Sequence, residues 1–222
     1  MGVIGQRLKR IERYVRYTCR AFPRDVLNKV LYGPEAPLYA ERIWVNPRNC
    51  EACLGSMGDS YSGKVVTGGW PPPRARQREI MQVKKIRGCI DHWEKGISWE
   101  ETGIFDFLGE KIENHPRNIF DDCGNRKELK KRYARLDRLF ETVRAEGGLK
   151  TNREVDKWSF RERDGIYCHV GPGPRFFFGG VGCHRFSMAL VLGLPLIPVK
   201  IGCVHVNAIP HLKTLRCRPG GA

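Results

Sequence analysis

The sequence predicts an α/β (α+β) fold, a small mixed sheet with helices, preceded by a basic and mostly helical region. Three observations predict it. A charged helix with an apolar face starts at Asn125, two strands separated by a turn lie between Ile166 and Phe178, and a glycine-rich loop then leads into a helix and a last strand, Ile197 to Val204. The reading divides the chain into a basic, mostly helical region with short strands over residues 1–124, the α/β domain over 125–208, and a basic flexible tail over 209–222.

Composition agrees with a folded protein. The chain has 222 residues, enough for one large domain or two small ones, and 41% of them are hydrophobic, enough for a core. The formal net charge is +15, which attracts polyanions at long range, so nucleotides, nucleic acid and acidic lipid surfaces are all candidate partners. No apolar core follows the charged start as a signal peptide requires, and the longest apolar run, Phe186 to Ile201, is broken by Gly193, Pro195 and Pro198. The expectation is a cytoplasmic protein with no membrane span. Nine cysteines, an odd number spread over a long chain, read as reduced thiols rather than a disulfide framework.

In order along the chain, Ile4, Leu8, Ile11 and Val15 recur at helical spacing with Arg7, Arg10, Arg13 and Arg16 between them, which predicts an amphipathic basic helix over 1–31. Such a helix either packs one face on the domain or meets a polyanion or membrane surface. Gly33 to Pro37 is a turn, Glu41 to Asn46 a short strand, residues 55–63 a mobile Gly/Ser loop, Val65 and Val66 a second short strand, and Trp70 with its three prolines a rigid extended piece. Glu79 to Trp93 reads as a helix with Ile80, Val83, Ile86, Ile90 and Trp93 on one side. Ser98 and Glu101 form a capping box that predicts a helix through about Leu108, and residues 109–124 look irregular. Asn125 caps the next helix with Glu128 three residues on, Leu129, Tyr133, Leu136, Phe140 and Val143 share its face, and Gly147 and Gly148 end it. Ile166, Cys168 and Val170 alternate with Tyr167 and His169 as a half-buried strand, which a Gly-Pro-Gly-Pro turn returns through Arg175 to Phe178.

The chemistry lies in the next segment, Gly179-Gly180-Val181-Gly182-Cys183-His184-Arg185. Glycines permit positive φ and close approach of a ligand. A helix start offers free N–H groups and partial positive charge, which suits phosphate. Arg185 can grip two phosphate oxygens and His184 adds a donor. Gly179, Gly180, Gly182, His184 and Arg185 are therefore the candidate phosphate-binding residues; the alternative is that the glycines only allow a tight strand-to-helix turn.

The segment from Leu136 to Ile201 resembles the ParB/sulfiredoxin superfamily. The resemblance rests on the helix Leu136 to Arg144 with a glycine after it, the strand pair running into Gly182-Cys183-His184-Arg185, Ala189, Leu192-Gly193-Leu194, and Ile197-Pro198-Val199-Lys200. Uncharacterised ParB-like proteins are similar in the Gly-x-His-Arg form and in the stretch Ile97 to Thr102. The resemblance implies a nucleoside triphosphate, ATP or CTP; the expectation is a nucleotide-binding protein, with phosphotransfer or nucleotide hydrolysis as the activity and Mg2+ held by a carboxylate if a phosphoryl group is transferred. It also implies a rival. Sulfiredoxins carry a catalytic cysteine directly before His-Arg, where this chain has Cys183, although Val181 replaces a glycine of their loop. A thiol at a helix start beside Arg185 is expected to have a lowered pKa. No helix-turn-helix pattern follows, which argues against chromosome partitioning. A nucleic-acid-binding protein or nuclease acting through the basic surface is the remaining alternative.

Other constellations are weaker. Cys50 and Cys53 with Cys89 and His92 have zinc-like local spacing, yet unrelated thiols explain them as well. His169, His205 and His211 are scattered. Glu100, Glu101, Asp106, Glu146 and Asp164 are available as a general base, and nothing selects among them. Nothing in the sequence sets an oligomeric state.

Overall fold

The computed structural model describes residues 3–115, 117–159 and 161–218, with the side chains of the first helix described at Val15 and from residue 17 onward. The predicted face of Ile4, Leu8 and Ile11 and the last four residues of the tail lie outside the described positions. Seven strands form one mixed sheet: β1 (Arg42–Val45), β2 (Cys50–Gly55), β3 (Val65–Val66), β4 (Arg76–Arg78), β5 (Ile166–Val170), β6 (Phe176–Phe178) and β7 (Ile197–His205). The order is β1-β7-β5-β6-β2-β4, with β3 also paired to β7. β7 runs parallel to β5 and β3 and antiparallel to β1, while β6 is antiparallel to β5 and parallel to β2.

The sheet is an α/β core with its strands buried deepest at the centre. Every residue of β7 and of β5 is buried, as expected for central strands with both faces covered. This corrects the half-buried reading of β5. Ile166, Cys168 and Val170 enter the main core, and Phe177 and Cys203 belong to a second cluster with Ala52, Leu54 and Met57, against which Trp70 packs.

The sheet also corrects the proposed division of the chain. Residues 1–124 supply four of the seven strands, and β2 lies directly beside β6, so the boundary at 124 runs through one sheet. The region is mostly helical with short strands, but those strands belong to the same sheet as β5 to β7. The described part of the tail, residues 209–218, packs on the domain: Leu212 in the short helix α7 (Leu212–Arg216) is fully buried, and Arg216 pairs with Glu35 and Glu41, each at 2.6 Å. Ser62, in the segment expected to be a mobile loop, is buried, accepts from Ala40 N and donates to Ile201 O at 2.7 Å. The proline run turns between Pro72 and Ala75 instead of staying extended.

The remaining helices are α1 (Val3–Tyr32), α2 (Lys84–Trp93), α3 (Ile104–Glu113), α4 (Arg126–Glu146), α5 (Asn152–Val155) and α6 (Cys183–Val191). None among the described residues is long and apolar enough to cross a membrane. α2 starts later than predicted, because Ile80–Gln82 form a separate 3-10 turn and Val83 is extended. The Ser98–Glu101 bonds form, but α3 begins only after Gly103, which sits at φ 69° and breaks the chain direction there. α4 follows its signals closely. Asn125 accepts from Glu128 N at 3.0 Å, the Glu128 carboxylate takes the Gly124 N–H at 2.7 Å, and Gly147 ends the helix at φ 67°. Asp137 of α4 accepts indole N–H bonds from both Trp93 and Trp99, which ties α4 to α2.

Candidate functional site

The glycine-rich loop joins β6 to α6, and β5 dictates its shape. Gly179 N donates to Tyr167 O at 2.7 Å, and Tyr167 N donates to Val181 O at 3.1 Å. A Cβ on Gly179 would lie 2.5 Å from the Tyr167 ring, and one on Gly182 would lie 2.9 Å from Ile166 Cα. Gly182 is also the residue before α6, at φ 81°, and Gly180 has φ 80°. Gly179 and Gly182 are thus required by packing against β5. Gly180 is required by backbone conformation alone, since a Cβ there meets only Cys53 Sγ at 3.9 Å. The first intrahelical bond of α6 runs from Phe186 N to Gly182 O, so the N–H groups of residues 183–185 belong to the open first turn.

Beside this turn is a cavity of about 360 Å³. Gly180, Gly182, Cys183, His184 and Arg185 line it, as does Val181, whereas Gly179 does not. The rest of the wall comes from Lys85 of α2, Asp121, and Arg132, Leu136 and Leu139 of α4. The cavity therefore has three basic side chains, one carboxylate, one imidazole and an apolar flank.

Asp121 organises the basic groups. Lys85 Nζ lies 2.9 Å from its Oδ2, Arg132 approaches Oδ1 at 3.4 Å, and His184 Nε2 is 4.0 Å from Oδ2. Burial alone raises the carboxyl pKa, but Lys85, His184 and Arg132 outweigh it and the net direction is down. Lys85 is the ion-pair partner of Oδ2. Arg132 is left incomplete. Its contacts with Asp121 and Asp122 are 3.4 and 3.5 Å, and its buried Nε has no acceptor. Asp121 and Asp122 both adopt positive φ, 56° and 59°, a strained conformation for residues with a Cβ.

The predicted loop side chains behave differently from expectation. Burial lowers the His184 pKa to about 4, with Lys85, Arg132 and Arg185 adding to the effect and Asp121 opposing it, so the ring is neutral at pH 7. Its Nε2 is 3.2 Å from the Tyr133 hydroxyl. One Arg185 nitrogen is engaged by the Asp164 carbonyl. The largest correction concerns Cys183. Its thiol is buried and lies 3.5 Å from Gly180 O, and burial pushes its pKa up to about 11, the reverse of an activated thiolate.

The other candidates lie elsewhere. Glu100, Asp106 and Glu146 form ion pairs with Lys130, Arg126 and Lys150, Glu101 bonds Ser98, and none lines the cavity. Cys50 and Cys53 lie on β2, whereas Cys89 is in the separate core cluster around Trp99 and Tyr133. Among the described residues no group of three or more His, Cys, Asp or Glu side chains is placed to hold a metal. His169 is fully buried and accepts from Cys203 N at 3.0 Å, His205 meets Trp70 edge to face, and His211 ends a 3-10 turn. The donor set also does not fit a resident Mg2+, which prefers an octahedral set of oxygens. Among the described residues Asp121 is the one carboxylate in the cavity wall, and it already faces Lys85 and Arg132.

Lys85, Asp121 and Arg132 were missed from the sequence. Lys85 is one of two adjacent lysines on a helix, and Asp121 falls in a stretch without periodicity. In comparisons with known proteins, no protein family, no curated protein and no solved structure matches the chain.

Proposed function

We propose that the protein binds a nucleoside phosphate in the cavity beside the α6 start, with the phosphates toward the loop N–H groups and Lys85, Arg132 and Arg185, and the nucleoside against Leu136 and Leu139. The observation that carries this reading is the orphaned Arg132 Nε, a buried cationic donor without an acceptor on the wall of a cavity of about 360 Å³. A buried donor of this kind is costly unless an acceptor meets it. The volume falls in the range of small-molecule sites, roughly 300–1,000 Å³. The resemblance of the loop to the ParB/sulfiredoxin superfamily supports a nucleoside triphosphate as the ligand.

Binding is the function proposed, ahead of phosphoryl transfer or hydrolysis. A general base needs a pKa near the working pH. The Asp121 carboxyl is held low by its cationic neighbours, and His184 titrates at about 4. A thiol reaction at Cys183 is disfavoured by its pKa of about 11.

A thermal-shift screen against ATP, CTP, GTP, pyrophosphate and the matching nucleosides tests the proposal. A ligand at about 100 times its dissociation constant stabilises the native state by about 2.7 kcal/mol. Stabilisation by a nucleoside phosphate and not by its nucleoside is expected. No stabilisation by any phosphate-bearing ligand removes the proposal. In that case the net charge of +15 favours nucleic acid, recognised by an affinity that falls steeply with salt.

A further inference from the structure

The exposed face of α1 carries a further inference. Between Phe22 and Leu31, Asp25 and Asn28 point into the protein and the apolar side chains point out. Asn28 is 3% exposed and donates to Pro37 O and Gly63 O, each at 2.6 Å. Asp25 accepts from Tyr39 N at 2.7 Å and pairs with Arg161 at 2.6 Å. At about 100° per residue, Phe22, Val26, Val30, Leu27 and Leu31 cover an arc of about 180° on the opposite side. All five are exposed, Phe22 to 70% and Val30 to 76%. Isolated exposed hydrophobics are ordinary, but a continuous stripe marks a contact surface.

The charge of the helix narrows the occupant. α1 carries eight Arg or Lys side chains against two acidic ones, and Arg24 and Lys29 border the two edges of the apolar arc. A second copy of the chain on this face would bring two strongly basic helices together. Nucleic acid suits the charge but offers no apolar phase for Phe22, Val26 and Val30. A single acidic partner helix covers only a narrow seam. A bilayer surface with anionic headgroups covers half a cylinder and pairs with flanking cations at once.

We propose that α1 docks the protein on an anionic lipid surface, lying in the interface with its apolar arc in the acyl boundary and Arg24 and Lys29 at the headgroups. The site is separate from the cavity beside α6, and the proposal does not depend on the ligand bound there.

The test is co-sedimentation of the full chain with phosphatidylcholine vesicles, with and without about one third phosphatidylserine. The comparison is with the double variant Phe22→Asp/Val30→Asp, whose unchanged thermal midpoint and far-UV spectrum establish that it folds. Binding to the anionic vesicles at least about tenfold stronger than to neutral ones, and lost by at least about tenfold in the variant, is the expected result. Equal binding by protein and variant reduces the effect to charge alone and overturns the proposal. So does an absence of vesicle binding, whether or not the protein forms a dimer or a complex with an acidic protein that the variant disrupts.

Discussion

Lys85 Nζ lies 2.9 Å from Asp121 Oδ2, and this pair fixes one wall of the cavity beside the glycine loop. It joins α2 to the irregular segment before α4, and it leaves Arg132 with only long contacts to Asp121 and Asp122. The basic groups around the α6 start are therefore held in place while the Nε of Arg132 lacks an acceptor.

Removing that incompletely bonded group separates affinity from stability. Arg132→Ala is expected to weaken nucleoside phosphate binding by tenfold or more, about 1.4 kcal/mol, and to change folding stability by less than about 1 kcal/mol. Titration calorimetry and urea unfolding measure the two effects. A large loss of stability with affinity retained contradicts the assignment.

The loop glycines predict an order of costs. Gly182→Ala combines left-handed backbone strain, about 1–2 kcal/mol, with a Cβ 2.9 Å from Ile166 Cα. Gly180→Ala carries the strain alone, because its nearest neighbour is 3.9 Å away. Urea unfolding is expected to find Gly182→Ala the more destabilised of the two. Equal or reversed costs would show that β5 does not dictate the loop.

Two buried imidazoles make the fold acid-sensitive. His169 and His184 each have a pKa lowered from 6.5 to about 4, by burial first in both cases. Between those values the unfolded chain binds more protons, so stability falls as pH drops from about 6.5 toward 4 and is fully present above 6.5. At about 1.4 kcal/mol per pH unit, each ring accounts for a loss on the order of 3 kcal/mol across that window. Unfolding midpoints at pH 7, 6 and 5 measure it, and His184→Gln is expected to flatten the slope. A midpoint independent of pH over this range contradicts the burial of both rings in neutral form.

Thiol reactivity separates the cysteines by burial. Cys19 and Cys217 are exposed, and Cys183 is buried with a pKa of about 11. Peptide mapping after brief alkylation at pH 7.5 is expected to find Cys19 and Cys217 modified and Cys183 intact. Preferential labelling of Cys183 would revive the thiol enzyme.

The parts of this fold legible in the sequence are those governed by neighbours in the chain. Asn125, Gly147 and the face from Leu129 to Val143 mark α4 because caps and helical periods are local. The glycine loop was visible for the same reason. The pairing of β2 with β6 was not, since Cys50 to Gly55 carries no clear alternation and its partner lies far along the chain. The helix start at Ile104 turned on the left-handed Gly103. Lys85, Asp121 and Arg132 converge only in three dimensions. Cys183 misled because its position at a helix start suggested a low pKa, and burial, which outweighs that position, is a property of the packed core.

Titration calorimetry with the nucleoside triphosphate that gives the largest thermal shift tests the central claim most directly, with Arg132→Ala compared against Arg76→Ala, an exposed arginine on β4 outside the cavity wall. The account predicts saturable binding that Arg132→Ala weakens at least tenfold and Arg76→Ala leaves unchanged. Equal weakening by both variants would reduce the interaction to net charge, and no heat of binding in any of the three proteins would contradict a phosphate site beside α6.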